Sequence, residues 1–256
     1  MEVIYEVFAF VFGLVWGSFM NVIIYRVPEG MSLLKPRSIC PVCKNKIAWY
    51  DNVPVISYII LGGKCRHCGA KISLRYPVVE LSGGLTFVLL WHNFHLFPVE
   101  MFRGFIFLSL LIVLAGIDAE RMILPDVFTL PGVGAGLAFS LFLPPGMKSS
   151  ILGAVLGYFS LWLVYKIFLL LTGKEGLGFG DFKMLAMIGA FMGAGQILPV
   201  IVVSSLLGSL FGISLIVFKG KKFSTMLPYG VFLALSAWSL YIFKLDLFKL
   251  YMGLWR

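Results

Sequence analysis

"VIYEVFAFVFGLVWGSFMNVIIY", residues 3–25, is a continuous apolar run that contains one charged side chain, Glu6. A helix rises about 1.5 Å per residue, so this run is long enough to cross the roughly 30 Å hydrocarbon core of a bilayer. Its start is acidic, and it shows no convincing small-residue cleavage site, which favours a retained helix over a cleaved signal peptide. The run therefore predicts a membrane protein.

The rest of the chain repeats this apolar pattern. Hydrophobic residues make up 60% of the 256 positions and charged residues only 13%, which excludes an ordinary soluble domain. Further apolar segments lie at residues 78–96, 104–117, 127–143, 151–172, 196–218 and 227–243, and a shorter one lies at 182–193. The predicted fold class is an all-α polytopic membrane protein with about eight transmembrane helices.

One sizeable polar segment, residues 26–77, separates the first predicted span from the second. It carries nine Lys or Arg residues against two acids, Glu29 and Asp51. The positive-inside rule places such a segment in the cytoplasm. The basic residues of the chain, whose net charge is +9, flank membrane helices and accompany no nucleic-acid recognition module. Anionic lipid is therefore the expected partner, and nucleic acid is not.

All four cysteines of the chain lie in this polar segment. They form two Cys-x-x-Cys pairs, Cys40 with Cys43 and Cys65 with Cys68, separated by residues 44–64. This spacing is typical of a structural zinc site in which four thiolates complete a tetrahedron. The alternatives are two disulfides or free thiols, and a reducing cytoplasm disfavours disulfides. The pattern predicts a small cytoplasmic segment that resembles a zinc ribbon.

Acidic residues at membrane depth are costly, so three aspartates at the ends of predicted spans are candidate functional groups: Asp118, Asp126 and Asp181. Threading the spans through the membrane from the cytoplasmic segment places Asp118 and Asp181 at the same membrane face. Two neighbouring carboxylates cannot both ionise easily, so they share a proton. One then acts as a base toward water and the other as an acid, which is chemistry that hydrolyses a peptide bond without a metal.

Less specific roles remain open for each aspartate. Asp126 follows Pro125 and could be the N-cap of the fourth span, Asp181 could likewise be an N-cap, and Asp118 could be an ordinary interfacial charge. The glycine run before Asp181 is not followed by Gly-Lys-Ser/Thr, which disfavours a phosphate-binding loop. Two other classes of protein also remain open, namely a proton-coupled membrane transporter and a non-catalytic zinc-ribbon membrane scaffold.

Four stretches that span almost the whole chain closely resemble the bacterial type IV prepilin peptidases, the leader peptidases of type IV pilus and type II secretion systems. They are "GLVWGSFMNVIIYRVP" (13–28), "CPVCKNKIAWYDNVPVISYIILGGKCRHCGAKISLRYPVVEL" (40–81), "IDAERMILPDVFTLP" (117–131) and "GLGFGDFKMLAMIGAFMG" (176–193). One departure lies near the C-terminus, where "LPYGVFLAL" has Val231 at a position at which many relatives are expected to carry proline. It lies outside the catalytic motifs.

The resemblance implies a specific activity and site. The family's catalytic pair falls on Asp118 and on Asp181 of the Gly-x-Gly-Asp signature, which implies an aspartic endopeptidase. Such an enzyme removes the basic leader of prepilins and pseudopilins, usually after a glycine, at the cytoplasmic face of the bacterial inner membrane. The resemblance also implies N-methylation of the new N-terminus with S-adenosylmethionine, although no methyl-donor motif identifies the residues that would bind it. The implied organisation is a first transmembrane helix (1–25), a methyltransferase-associated four-cysteine segment (26–77) and a membrane-embedded aspartyl protease domain (78–256).

Overall fold

The computed structural model describes residues 2–35, 38–174, 176–219 and 226–244. Within these residues the chain is helical, and the only strand-like pairings are two isolated bridges, Ile39 with Lys46 and Lys64 with Lys71. The helical class predicted from the sequence is confirmed. The helices are α1 (Glu2–Arg26), α2 (Ile56–Ile60), α3 (Arg75–Phe94), α4 (Pro98–Arg121), α5 (Asp126–Phe139), α6 (Met147–Thr172), α7 (Phe179–Met192), α8 (Ile197–Lys219) and α9 (Tyr229–Ile242).

Four of the described helices are long and apolar enough to cross a membrane: α1, α4, α6 and the segment Ala194–Phe218, which contains most of α8. The helices α5 and α9 are apolar but have only 14 residues each. A helix of that length extends about 21 Å, which is less than the hydrocarbon core of a bilayer. Each of the eight predicted spans coincides with a helix, whereas the count of eight membrane crossings stays a prediction.

The chain divides into two compact units, residues 1–116 and 117–256, and α4 continues across their boundary. In the first unit α1 packs along α3 through glycines. A Cβ atom on Gly13 would lie 2.5 Å from the Gly83 carbonyl oxygen, and one on Gly17 would lie 2.6 Å from the Cα atom of Glu80. Glycines at such positions allow two helix backbones to approach closely. The first unit therefore depends on small residues where these helices meet.

The second unit is built around α7, which packs against α5, α6 and α9. Nearly every α7 side chain after Asp181 is buried. The backbones of α6 and α7 also touch at glycines. A Cβ atom on Gly189 would overlap the Gly153 carbonyl oxygen, and one on Gly157 would lie 2.5 Å from the Leu185 carbonyl oxygen. Close contact with α6 thus fixes the position of α7, and with it the position of Asp181 at its first turn.

We expect Gly189→Ala to destabilise the protein, because the added methyl group cannot be accommodated beside α6. Overpacking of this kind costs about 1–3 kcal/mol, which exceeds the helix propensity of up to about 1 kcal/mol that alanine gains over glycine. Gly134→Ala is the matched control, since a Cβ atom at this helical glycine meets nothing within 4 Å. Thermal unfolding of the detergent-solubilised variants measures both effects. Equal midpoints would contradict the proposed importance of the α6–α7 contact.

Candidate active site and candidate metal centre

Asp118 lies near the C-terminal end of α4 and is only 4% exposed. Its Oδ2 atom accepts a hydrogen bond of 3.2 Å from the backbone N–H of Val231, and the backbone N–H of Gly230 also donates to its carboxylate. Both donors belong to the first turn of α9, where N–H groups have no partner in their own helix. The N-cap residue of α9, Pro228, makes no side-chain cap bond. Asp118 therefore caps α9 from another helix.

Asp181 is the third residue of α7 and is 7% exposed. Its Oδ2 atom accepts a hydrogen bond of 3.1 Å from the backbone N–H of Gly178, and its own N–H donates to the Gly178 carbonyl oxygen at 3.1 Å. The Asp181 side chain therefore satisfies the N–H of the N-cap residue, which is one half of a capping box. The interpretation of Asp181 as an N-cap is wrong, because Gly178 occupies the N-cap position and Asp181 lies at N3.

The structure brings Asp118 and Asp181 close enough for the charge of Asp118 to act on Asp181. Each carboxylate is held at the N-terminal end of a helix, where the aligned peptide dipoles favour negative charge. Leu124 packs against both sites. A Cβ atom on Gly180 would lie 2.7 Å from Leu124 Cβ, and one on Gly230 would lie 3.1 Å from Leu124 Cδ1 and 2.8 Å from Asp118 Oδ2. Residues distant in sequence therefore form one site.

Asp126 does not cap α5, so that sequence-based interpretation is wrong. It is the first helical residue, Pro125 occupies the N-cap position, and no side-chain cap bond forms. Instead, both Asp126 carboxylate oxygens accept hydrogen bonds from Lys183 Nζ, at 2.7 and 2.8 Å. The two side chains are 55% and 29% exposed, so the ion pair lies at the rim of the site. The Lys183 ammonium is therefore already paired with a carboxylate outside the two buried aspartates.

The four cysteines form the candidate metal centre. Their sulfur atoms all lie within 4.8 Å of one another, and the Cys40 and Cys68 sulfurs are 3.9 Å apart. A tetrahedral site with Zn–S bonds of about 2.3 Å requires sulfurs about 3.8 Å apart, so this donor set fits a metal of that kind. The two Cys-x-x-Cys pairs have the same local fold. In each, the N–H of the residue after the second cysteine donates to the first cysteine's carbonyl oxygen, from Lys44 and from Gly69.

Backbone hydrogen bonds set the acidity of these thiols. The N–H of Cys43 donates to Cys40 and lowers the pKa of the Cys40 thiol to about 6. Backbone N–H groups of Cys68 and His67 similarly lower the pKa of Cys65. The Ala70 N–H lowers the pKa of Cys68, but desolvation and the neighbouring thiols outweigh it and raise that pKa to about 11. These backbone donors stabilise the thiolate forms of Cys40 and Cys65, and the thiolate is the form of cysteine that binds metal.

An ion pair between Arg66 and Asp51 connects two parts of the cysteine segment. Arg66, inside the second Cys-x-x-Cys pair, donates through Nε and an Nη atom to the two carboxylate oxygens of Asp51, at 2.8 and 2.6 Å. The Arg66 guanidinium holds the pKa of the Asp51 carboxyl below its usual range. This two-bond geometry orients both side chains. The ion pair therefore connects the second Cys-x-x-Cys pair to the stretch of chain that follows the first Cys-x-x-Cys pair.

Glu80 is a buried carboxylate that was not among the candidate residues predicted from the sequence. Glu80 lies in α3, is 7% exposed and accepts a hydrogen bond of 2.8 Å from the backbone N–H of Val55. Ser18 of α1 also donates to it. Val55 has φ 62°, a left-handed conformation that a β-branched residue rarely adopts. A carboxylate inside the predicted span 78–96 was the available signal, and it was missed because Glu80 lies near the polar start of that span.

The backbone of Val231 also belongs to the site, which the sequence did not predict. Val231 lies outside the catalytic motifs in the sequence, yet its N–H donates directly to Asp118 in the fold. The Val231 side chain could not indicate this role, because only the backbone N–H of the residue contacts Asp118. A proline at this position would lack the N–H group and would leave Gly230 as the remaining donor of the pair.

The fold and the site define a helical membrane protein that holds a pair of buried aspartates and a four-cysteine cluster. Residues 11–94 match the bacterial peptidase A24 N-terminal domain, and residues 105–213 match the type IV leader peptidase family. The chain belongs to the type IV leader peptidase family, and its relatives are prepilin peptidases.

Several relatives carry the name prepilin leader peptidase/N-methyltransferase. The protein from Klebsiella pneumoniae is 48% identical over 73% of this chain and 84% of its own length. The protein from Neisseria gonorrhoeae is 40% identical over 91% of this chain and 88% of its own. The protein from Pseudomonas aeruginosa is 39% identical over 88% of this chain and 86% of its own length. No solved structure matches the chain.

We expect Glu80→Ala to loosen the cysteine segment, because the Val55 N–H loses the acceptor that holds its strained backbone. An intramolecular hydrogen bond contributes about 0.5–1.5 kcal/mol. Limited proteolysis between residues 38 and 74 should therefore become faster. Glu100→Ala, in the first turn of α4, is the control and should leave the cleavage rate unchanged. Equal cleavage rates in both variants would show that Glu80 does not hold the segment.

Proposed function

We propose that this protein is a membrane aspartic endopeptidase of the Gly-x-Gly-Asp type that cleaves the leader of type IV prepilins and pseudopilins. The observation that carries this proposal is the pair of buried carboxylates, Asp118 and Asp181, that lie within electrostatic range of one another. The family membership and the names of the relatives support the same activity. The alternative class, a non-catalytic zinc-ribbon membrane scaffold, has no need of either aspartate and so does not account for the pair.

The pair supplies both proton transfers that peptide hydrolysis needs. The ionised carboxylate takes a proton from a water molecule, which attacks the scissile carbonyl carbon. The protonated carboxyl group donates its proton to the carbonyl oxygen, giving a tetrahedral intermediate. Collapse of this intermediate breaks the C–N bond, and the leaving amine takes a proton back from the pair. Two such groups titrate as one coupled unit, so the shared proton belongs to the pair.

Backbone donors hold this pair in place. The α9 N–H groups fix Asp118, and the N–H of Gly178, the N-cap residue of α7, fixes Asp181. Donors that do not reorganise during the reaction keep the carboxylates oriented while charge moves between them. Lys183 is paired with Asp126, so we assign it no proton-transfer role.

The apolar helices around the two aspartates favour a substrate that is itself inserted in the membrane. Four described helices are long and apolar enough to cross a bilayer, and a substrate helix in the same bilayer meets the enzyme there. We propose that the eight predicted spans cross the bacterial inner membrane. In this topology the basic residues 26–77 are cytoplasmic, and the end of α4 and the start of α7 lie at the cytoplasmic face. Cleavage then releases the leader into the cytoplasm, with glycine preceding the cut bond as the family resemblance implies.

We further propose that the protein N-methylates the new N-terminus. The relatives' names include N-methyltransferase, and the chain retains the complete segment of residues 26–77. S-adenosylmethionine, as co-substrate, supplies an electrophilic methyl group to the unprotonated amine. The product of cleavage followed by methylation is heavier by one methylene unit than the product of cleavage alone.

The metal proposed for the cysteine cluster is a structural zinc ion. Four sulfurs complete the coordination of tetrahedral zinc and leave no open position for water or substrate. Zinc at this site would stabilise the segment without taking part in proton transfer. Cys40, Cys43, Cys65 and Cys68 would hold it.

We expect Asp118→Asn and Asp181→Asn each to abolish cleavage of a prepilin-like substrate, because neither leaves a pair that can both accept and donate the required protons. Asp126→Asn is the matched control, since this aspartate lies on the rim in an ion pair, and it should retain cleavage. Product masses recorded with S-adenosylmethionine present measure cleavage and methylation together.

Normal cutting by either variant of the pair would overturn the aspartic mechanism. If the unmodified protein instead cut nothing and carried protons across reconstituted vesicles, the transporter class would replace the peptidase. A cleaved product without the added methylene unit would limit the proposal to the peptidase activity.

We expect the purified protein to contain about one zinc ion per chain, as a four-cysteine structural site requires. Cys43→Ser should lower the zinc content and speed proteolysis of residues 38–74, because the segment loses a ligand. His67→Ala should keep the zinc, since four sulfurs already complete the site. Elemental analysis distinguishes the metals, and iron in place of zinc would contradict this assignment.

A further inference from the structure

We propose that Leu124 determines which residue the enzyme accepts immediately before the scissile bond. This inference rests on the peptidase function proposed above, because it assigns Leu124 a role beside the two aspartates. Leu124 carries no reactive group, so its role would be steric.

The chain conformation places Leu124 over the site. After α4 ends at Arg121, Met122 adopts a left-handed conformation with φ 53°, and its N–H donates to the Asp118 carbonyl oxygen at 2.9 Å. The chain therefore bends at Met122, four residues after Asp118. Leu124 precedes Pro125, which restricts it to extended backbone. The connection then ends at Asp126, which the ion pair with Lys183 attaches to α7.

Two glycines make room for the Leu124 side chain. Gly180 precedes Asp181, and a Cβ atom there would lie only 2.7 Å from Leu124 Cβ. Gly230 supplies an N–H to Asp118, and a Cβ atom there would lie 3.1 Å from Leu124 Cδ1. Leu124 thus contacts the backbone that holds each carboxylate. It occupies the space that side chains at both glycine positions would otherwise fill.

The position of Leu124 has a consequence for the substrate. Leu124 is only partly buried, so part of its side chain faces outward beside the carboxylates. A peptide bond that is cut between Asp118 and Asp181 must pass this surface. A Cβ atom on the substrate residue before that bond would compete with the leucine side chain for space, whereas glycine has no such atom. Leu124 therefore selects glycine by steric exclusion.

The test compares two prepilin-like substrates that differ only by glycine or alanine before the scissile bond. We expect Leu124→Ala to lower the ratio of kcat/KM for the glycine substrate to that for the alanine substrate by at least about tenfold, the scale of discrimination that one or two buried carbon atoms provide. The change should come mainly from faster cleavage of the alanine substrate. Leu130→Ala is the matched control, because Leu130 is 54% exposed on α5, and it should leave the ratio unchanged.

Thermal unfolding of each variant is measured in the same detergent. If Leu124→Ala does not fold, Leu124→Val replaces it, since valine keeps most of the side chain and should lower the ratio in the same direction by a smaller factor. An unchanged ratio in a folded variant would overturn the inference, as would an equal loss of cleavage for both substrates, which indicates a packing role. The proposed function fails separately, when Asp118→Asn or Asp181→Asn still cuts the glycine substrate.

Discussion

At the starts of α7 and α9, backbone N–H groups have no carbonyl partner in their own helix. An aspartate carboxylate accepts hydrogen bonds at each of these two helix ends. Asp181 binds the N–H of Gly178, the N-cap residue of its own helix, and Asp118 reaches from α4 to the N–H groups of Gly230 and Val231. In apolar surroundings an unsatisfied N–H group costs free energy, so these three bonds serve folding as well as the site. The same requirement that closes the helix ends also brings the carboxylates together.

This arrangement depends on the packing of α7. Its buried side chains and the glycine contacts with α6 leave little freedom for the helix to shift or rotate. The carboxylate of Asp181 lies on the first turn of this constrained element, while Asp118 is held by the first turn of α9, which packs against α7. Two carboxyl groups that would repel one another if both were ionised therefore remain close, because the surrounding helices are fixed and backbone N–H groups bind both side chains.

Much of this could be predicted from the sequence. Among the residues that the structure describes, apolar runs located the eight helices of 14 or more residues, because helices that are buried or face lipid are rich in apolar side chains. The cysteine spacing predicted a cluster because a Cys-x-x-Cys turn brings two sulfurs together locally. Partners across the fold were not predictable in this way. Asp126 was assigned to a local cap, yet it pairs with Lys183 from another helix. Glu80 was overlooked because its role depends on Val55 in the folded cysteine segment.

The capping of α9 by Asp118 also affects how sequences of this kind can vary. The stretch Tyr229–Val231 contributes to the site through main-chain N–H groups, and the valine side chain supplies no polar group. Most substitutions at position 231 would preserve the donor, because every amino acid except proline carries it. Position 230 is more restricted, since any side chain there would approach Asp118 Oδ2. Two neighbouring residues thus donate to the same carboxylate, and one of them tolerates most side chains whereas the other tolerates none.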